Sequence, residues 1–228
     1  MIYNWSDDTE GFIGYLPSDN SIYVAFRGSE DLRNWFTNLS IDKEKYTSFP
    51  DCDCQVHSGF YSAEQKVLPD VLAEVARLKN LYPSASVKTT GHSLGAAMAL
   101  LTGLDLIKAG YKVGMYNFGQ PRVGNQKFSN YVLTLWPEHW RVIHHQDIVP
   151  HNPSSGILMD YWHTCTERYE DKDGSMKACT NTCEDPTCAA QWEPWRLSID
   201  DHLVYLGMCM GTGCDSHKLC GAPATFLQ

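Results

Sequence analysis

The sequence has no run of Lys or Arg, no apolar stretch long enough to cross a bilayer, no internal repeat and no flexible linker. Eighteen Lys and Arg stand against 27 Asp and Glu, a formal net charge of -9. A chain this acidic lacks the basic patch that neutralises phosphates, which argues against nucleic acid or an anionic membrane as partner. Without roughly 20 consecutive apolar residues, transmembrane anchoring is not expected either. The opening MIYNWSDDTE holds neither a basic region nor an apolar core, so no signal peptide is visible. Three origins stay open: a cytosolic chain, a secreted chain already processed, or a sequence that begins inside a longer protein. Disorder is excluded by the 43% of hydrophobic and 12% of aromatic residues. The 228 residues read as one domain, 1–228.

Tight CxxC pairs are also missing, although the chain has nine cysteines: Cys52, Cys54, Cys165, Cys179, Cys183, Cys188, Cys209, Cys214 and Cys220. Seven of them follow position 164, in a region containing the loop-like KDGSMKACTNTCEDPTC. Clustered cysteines in a loop-rich segment predict disulfides and an oxidising compartment. The rival is zinc at Cys179, Cys183 and Cys188, or at Cys209, Cys214 and Cys220 with His217, and the missing CxxC spacing disfavours it. An odd count leaves one thiol free or paired outside this sequence. Asn4-Trp5-Ser6 and Asn38-Leu39-Ser40 are N-glycosylation triplets, of use only to a secreted chain.

The hydrophobic pattern alternates between two periods. Ile22 to Phe26 is a short β-rich apolar run ended by Gly28. Ser62 to Tyr82 carries apolar residues at helical spacing, with an irregularity expected at Pro69. Ala85 to Thr90 reads as a strand, and Ser93 to Ala109 as a helix stopped by Gly110. A strand over Lys112–Phe118, a helix over Asn125–Leu135 and a strand over Trp140–His144 follow. Strands alternating with helices predict an α/β fold with a mostly parallel sheet. Beyond Pro150, short strands and disulfide-bound loops are expected.

Gly91-His92-Ser93-Leu94-Gly95 matches G-x-S-x-G. The triplet alone is weak, but here it falls between a predicted strand and a predicted helix, where its chemistry works. A sharp strand-to-helix turn lifts a Ser hydroxyl clear of the sheet, and the helix N-terminus aims free N–H groups at a developing oxyanion. The ordinary alternative is a Gly-rich turn with a capping Ser. A Ser nucleophile needs a base and an orienting carboxylate, in the chain order Ser, Asp, His. His151, His163, His202 and His217 are the candidates beyond the next strand. Asp147 follows the strand Trp140–His144 at its C-terminal end, the edge on which open α/β sheets build their sites. His202 lies in a loop entering a short apolar segment. Spacing alone leaves Asp147 and His202 undecided against solvated loop residues.

Seven stretches in order make the sequence resemble the fungal-type triacylglycerol lipase family, the class 3 lipases. They are VAFRGSEDLRNW (24–35), VHSGFYSA (56–63), TGHSLGAAMALL (90–101), YNFGQPRVGN (116–125), HHQDIVPHNP (144–153), WHTCTERY (162–169) and DHLVYLG (201–207). The resemblance spans nearly the whole chain and implies an α/β-hydrolase fold: a mostly parallel central sheet flanked by helices, with a lid helix and here a Cys-rich C-terminal region. It implies Ser93 as nucleophile, Asp147 as the residue orienting the base and His202 as the base. It implies an oxyanion hole from the Leu94 N–H and from Ser29, which is otherwise an N-cap candidate. Family members carry an N-terminal helical segment ahead of the first landmark, whereas this chain begins about two strands before it.

Residues 30–40, EDLRNWFTNLS, carry an apolar stripe at Leu32, Trp35, Phe36 and Leu39 with polar residues opposite, the pattern of a surface helix. In similar lipases this segment is a lid, whose stripe covers the cleft when closed and adsorbs to lipid when open. The implied activity is hydrolysis of acylglycerols or other lipid esters at a lipid–water interface by a secreted enzyme with no metal and no organic cofactor. Phospholipid, galactolipid or feruloyl esters are the alternative substrates, and a non-catalytic lipase-like binding protein is the other alternative.

Overall fold

The structure, a computed structural model, describes residues 2–5, 9–29, 34–35, 38–136, 139–156, 158–180 and 183–210. Its frame is an eight-stranded sheet in the order β1-β2-β3-β6-β7-β8-β9-β10. β1 (Ile2–Trp5), β2 (Thr9–Leu16) and β3 (Ser21–Phe26) pair antiparallel. From β3 the sheet runs parallel through β6 (Ser86–His92), β7 (Val113–Phe118), β8 (His139–His144) and β9 (Glu167–Glu170). β10 (Met176–Ala178) closes it antiparallel. A small antiparallel pair, β4 (Lys43–Lys45) and β5 (Gln55–His57), stands apart.

The helices cover the sheet as the periodicity predicts. α1 (Ser58–Leu81) buries Phe60, Val67, Val71, Val75 and Leu78 at helical spacing. It starts four residues before the predicted Ser62, because the His57 side chain accepts from the Phe60 N–H and caps the extra turn. It also runs unbroken through Pro69. An interior Pro costs about 3 kcal/mol, and fully buried Val67 and Val71 on either side of it supply the packing that offsets this. α2 (Leu94–Lys108) is buried at every position from Gly95 to Leu106, as expected of a helix that is apolar all round. It is the rigid platform on which the centre of the sheet rests. α3 (Gln126–Leu135) starts where Asn125 accepts from the Phe128 N–H.

Past residue 150 the chain forms the expected short strands and bridged loops. Cys165 pairs with Cys183 and Cys179 with Cys188; a further bridge joins Cys52 to Cys54. The sulfurs of the first zinc candidate, Cys179, Cys183 and Cys188, are therefore committed to disulfides, although Glu167 approaches two of them. Cys214, Cys220 and His217 lie outside the described residues. Two ion pairs fasten this region to the sheet. Buried Arg141 donates to the Thr164 carbonyl at 2.6 Å and meets Glu167 at 3.4 Å. Arg122 forks onto both oxygens of Glu184 at 2.8 Å. The segment ends in α4 (Ile199–His202), β11 (Val204–Tyr205) and β12 (Met208–Cys209).

Candidate active site

The parallel register brings Phe26 beside Gly91, His92 beside Phe118 and Phe118 beside Val142. The loops leaving β3, β6, β7 and β8 thus emerge together at the C-terminal edge of the sheet, where α/β folds build their sites. Ser29 follows β3, Ser93 follows β6 and Asp147 follows β8.

Ser93 occupies the strand-to-helix turn with φ 57° and ψ -127°, a conformation rare for a residue with a side chain. Glycines make the turn possible. A Cβ on Gly91 would overlap the Gly95 backbone, and a Cβ on Gly95 would overlap the Phe26 carbonyl. The Ser93 side chain makes no capping bond to α2, against the reading of a plain helix cap. Leu94 is the first residue of α2, so its N–H has no acceptor within the helix.

Asp147 and His202, 55 residues apart in sequence, meet with 2.8 Å between Oδ2 and Nδ1. Both are fully buried, as is Ser93. The carboxylate is held from three sides: by His202, by the Tyr205 hydroxyl on the same oxygen, and by the Val149 N–H at 2.8 Å on Oδ1. Burial pushes the Asp147 carboxyl up, but the charge of His202 and these hydrogen bonds outweigh it and hold the acid below its ordinary range. The two loops are laced together. Ser198 N–H donates to the Gln146 carbonyl at 2.7 Å, and Asp201 accepts from Gln146 N–H at 3.1 Å. Glu170 accepts from the Leu206 N–H just beyond. His202 sits on the short helix α4, capped by Ser198, rather than in the predicted loop.

Ser93 Oγ and His202 Nε2 are both buried and without hydrogen-bond partners among the described residues. A hydroxyl that can give a proton and a ring nitrogen that can take one are the missing halves of a nucleophile–base pair. The other candidate bases serve elsewhere. The His151 ring spans the carbonyls of Asp147 and Ala189, and His163 Nε2 donates to the Pro150 carbonyl at 2.7 Å. Burial lowers the pKa of both rings.

Ser29 and Leu94 line one cleft of about 440 Å³, together with Trp35, Leu39, Phe60 and His57. Trp35 stacks over Phe60 at 6.3 Å, and both Trp35 and Leu39 pack against the main core. Helical backbone at Asn34, Trp35 and Asn38 agrees with the predicted helix; Leu32 and Phe36 lie outside the described residues. Sequence reading missed Tyr205, Gly119 and His92. Tyr205 and His92 touch the Asp147–His202 pair, a Cβ on Gly119 would meet it, and all three stand inside landmark stretches.

A family model described as lipase (class 3) matches residues 23–156. The lipase of Rhizomucor miehei is 34% identical over 224 residues, covering 92% of this chain and 60% of that protein. Secreted mono- and diacylglycerol lipase 1 of Fusarium solani is 36% identical over 168 residues, covering 71% of this chain and 48% of that protein. Among solved structures, a triacylglycerol lipase described as having a serine protease triad for its catalytic centre superposes with a TM-score of 0.85. It is 33% identical, over 92% of this chain and 81% of that one. The chain thus spans about half to three-fifths of the length of these curated relatives. With the strand–turn–helix around Ser93 and the α/β-hydrolase sheet that carries it, this chain belongs to the class 3 lipase family.

Proposed function

We propose that the protein is a secreted serine ester hydrolase that acts on acylglycerols at lipid–water interfaces. Ser93 Oγ attacks the ester carbonyl while His202 Nε2 takes its proton. Asp147 holds the opposite edge of the imidazole and stabilises the imidazolium. The Leu94 N–H and Ser29 receive the oxyanion. The alcohol leaves with the proton from His202, and water activated by His202 then releases the acyl group from Ser93. The observation that carries this reading is the strained Ser93 turn beside the buried Asp147–His202 pair.

The apolar lining of the cleft by Trp35, Leu39 and Phe60 supports a lipid ester over a sugar-linked one. In this reading residues 30–40 are the lid, and Trp35 and Leu39 are its cleft-facing residues. The relatives' names span lipases and mono- and diacylglycerol lipases, so the glyceride class is the open choice. Disulfides at 165–188 suit an oxidising, extracellular setting.

The test is a chain-length series of p-nitrophenyl esters, plus tri- and diacylglycerol emulsions and phospholipid vesicles, on wild type and Ser93→Ala. Glycerides should be cleaved in preference to phospholipid, and Ser93→Ala should lose on the order of 10³ or more in kcat. Near-wild-type esterase activity in Ser93→Ala refutes the nucleophile. Preferential cleavage of phospholipid refutes the substrate.

A further inference from the structure

His92 stands between Gly91 and Ser93, and the chemistry above gives it nothing to do. Its ring lies against the ring of His202, with centroids 4.2 Å apart and planes 28° from parallel. Its Nε2 is 2.8 Å from the main-chain carbonyl of His202. A carbonyl can only accept, so Nε2 carries the proton. The same ring meets Tyr205 edge-on at 5.7 Å, and Tyr205 is bonded to Asp147. His92 therefore touches the face and the main chain of His202, while Asp147 holds one edge of it.

An imidazole held through Nδ1 alone can rock about that hydrogen bond, and rocking swings Nε2 away from the hydroxyl it must deprotonate. Small misplacements of this kind are expensive in rate. A stacked face blocks the rocking, and an anchored carbonyl fixes the Cα from which the ring hangs. His92 is joined to Ser93 by one peptide bond, so the turn that presents the nucleophile also carries the plate under the base.

Such a plate must remain uncharged, because a second cation at this distance would oppose the imidazolium on His202. Burial, reinforced by the repulsion of His202, brings the His92 ring down to about 3. A neutral aromatic face toward a developing cation is attractive instead. The titratable groups around the pair are Asp147, Tyr205, His144, Glu170 and Asp201. Of these Asp147 favours charge on His92, against its burial, and Tyr205 stays protonated through burial and the charge of Asp147.

We propose that His92 is a positioning residue for His202: its Nε2–H grips the main chain of the base and its ring backs the imidazole, so that His202 Nε2 stays directed at Ser93. The inference rests on the reading of Ser93, Asp147 and His202 as a catalytic triad.

The experiment compares His92→Phe, which keeps the face, His92→Gln, which keeps a donor, and His92→Ala, which keeps neither, with wild type and Ser93→Ala. Hydrolysis of p-nitrophenyl butyrate gives kcat and KM, and the far-downfield proton resonance of the Asp147–His202 hydrogen bond reports how firmly the ring is held. His92→Ala should lose about tenfold or more in kcat with KM within about twofold, and its downfield resonance should broaden. Phe and Gln should each recover part of the loss. If His92→Ala does not fold, the Phe and Gln variants carry the comparison, since both keep the bulk of the ring. Unchanged kcat and an unchanged resonance in the His92 variants, with Ser93→Ala inactive, overturn the positioning role and leave the triad standing. A rise in KM without loss of kcat overturns it in favour of substrate contact. An active Ser93→Ala overturns the triad itself.

Discussion

The hydroxyl of Tyr205 donates to Oδ2 of Asp147, the same carboxylate oxygen that faces His202 Nδ1. Two donors on one oxygen fix the carboxylate against the imidazole and favour its charged form. Tyr205 lies three residues after His202, so the chain segment that brings the proposed base also brings the donor that fixes Asp147.

Tyr205→Phe removes that donor and leaves the ring. A hydrogen bond to a charged group contributes about 1.5–3 kcal/mol, so activity should fall roughly tenfold or more while the fold survives. The acid side of the stability curve should also move. Asp147 is depressed in the folded state, so its contribution is present above the unfolded carboxyl pKa and is lost as pH falls through the lower folded value. Without Tyr205 the folded value rises toward the unfolded one, so the acid loss is smaller and is complete at a higher pH. Urea midpoints between pH 2 and 6 check this; superimposable curves for the two proteins would remove Tyr205 from the account.

Gly119, after β7, has φ 55°. A Cβ there would lie 2.7 Å from His202 Cε1 and 2.9 Å from Asp147 Oδ2. Gly119→Ala must push the imidazole or the carboxylate aside. Displacing a reacting group by about 1 Å can cost on the order of 10² in rate, whereas a side chain at positive φ destabilises by only about 1–2 kcal/mol. We expect kcat to collapse while the melting temperature drops by a few degrees. Equal survival of both would mean that the loop after β7 yields.

These residues show what the sequence could and could not disclose. β3 and α2 are legible because most of their apolar positions are buried, Ile22, Val24 and Phe26 on β3 and Ala96 to Leu101 on α2, so composition and period agree. β2 is not, since Gly11 and Gly14 interrupt it and its apolar Phe12 and Leu16 point outward, 48% and 45% exposed. β9, with the sequence ERYE, buries both of its glutamates. Their burial depends on partners such as Arg141 for Glu167 and the Leu206 N–H for Glu170, which no local pattern announces. Ser93 could be picked from a strand–motif–helix order. Asp147 and His202 became specific only through the longer landmarks, because the sheet and not the chain makes them neighbours. Gly119 and His92 act through space alone, and a Gly or His inside a motif carries no signal of what it will touch.

Glu64 supplies a pH dependence unrelated to catalysis. It is fully buried on α1, and burial together with the charge of Asp105 raises its carboxyl to about 8. A raised carboxyl stabilises the fold fully below its unfolded value near 4.5 and loses that contribution as pH rises through about 8. Between those limits stability should decline, by a few kcal/mol in total. Glu64→Gln keeps the shape and cannot ionise. At pH 9 it should be more stable than wild type, and its urea midpoint should change less between pH 5.5 and 9. A parallel decline in both proteins would assign the alkaline loss to another group.

Trp35 tests the lid. It stacks on Phe60 and lines the cleft with Ser29 and Leu94, so in water its apolar surface is covered by the body of the protein. At a lipid surface the same area can be buried in the interface instead, at roughly 25 cal/mol per Å². In the proposed lid reading, the interface shifts a closed–open equilibrium by the difference in burial between the two states. Activity on a short-chain triglyceride should therefore climb sharply once emulsion droplets form. Trp35→Ser removes apolar area from both states but leaves Ser93, Asp147 and His202 untouched. The variant should lose much of the climb at the droplet threshold and little of its rate on a fully soluble ester. Equal losses on both substrates would make Trp35 a structural residue. A smooth saturation curve through the solubility limit in wild type would mean that residues 30–40 do not gate the cleft, and soluble esters would then become the better substrate class.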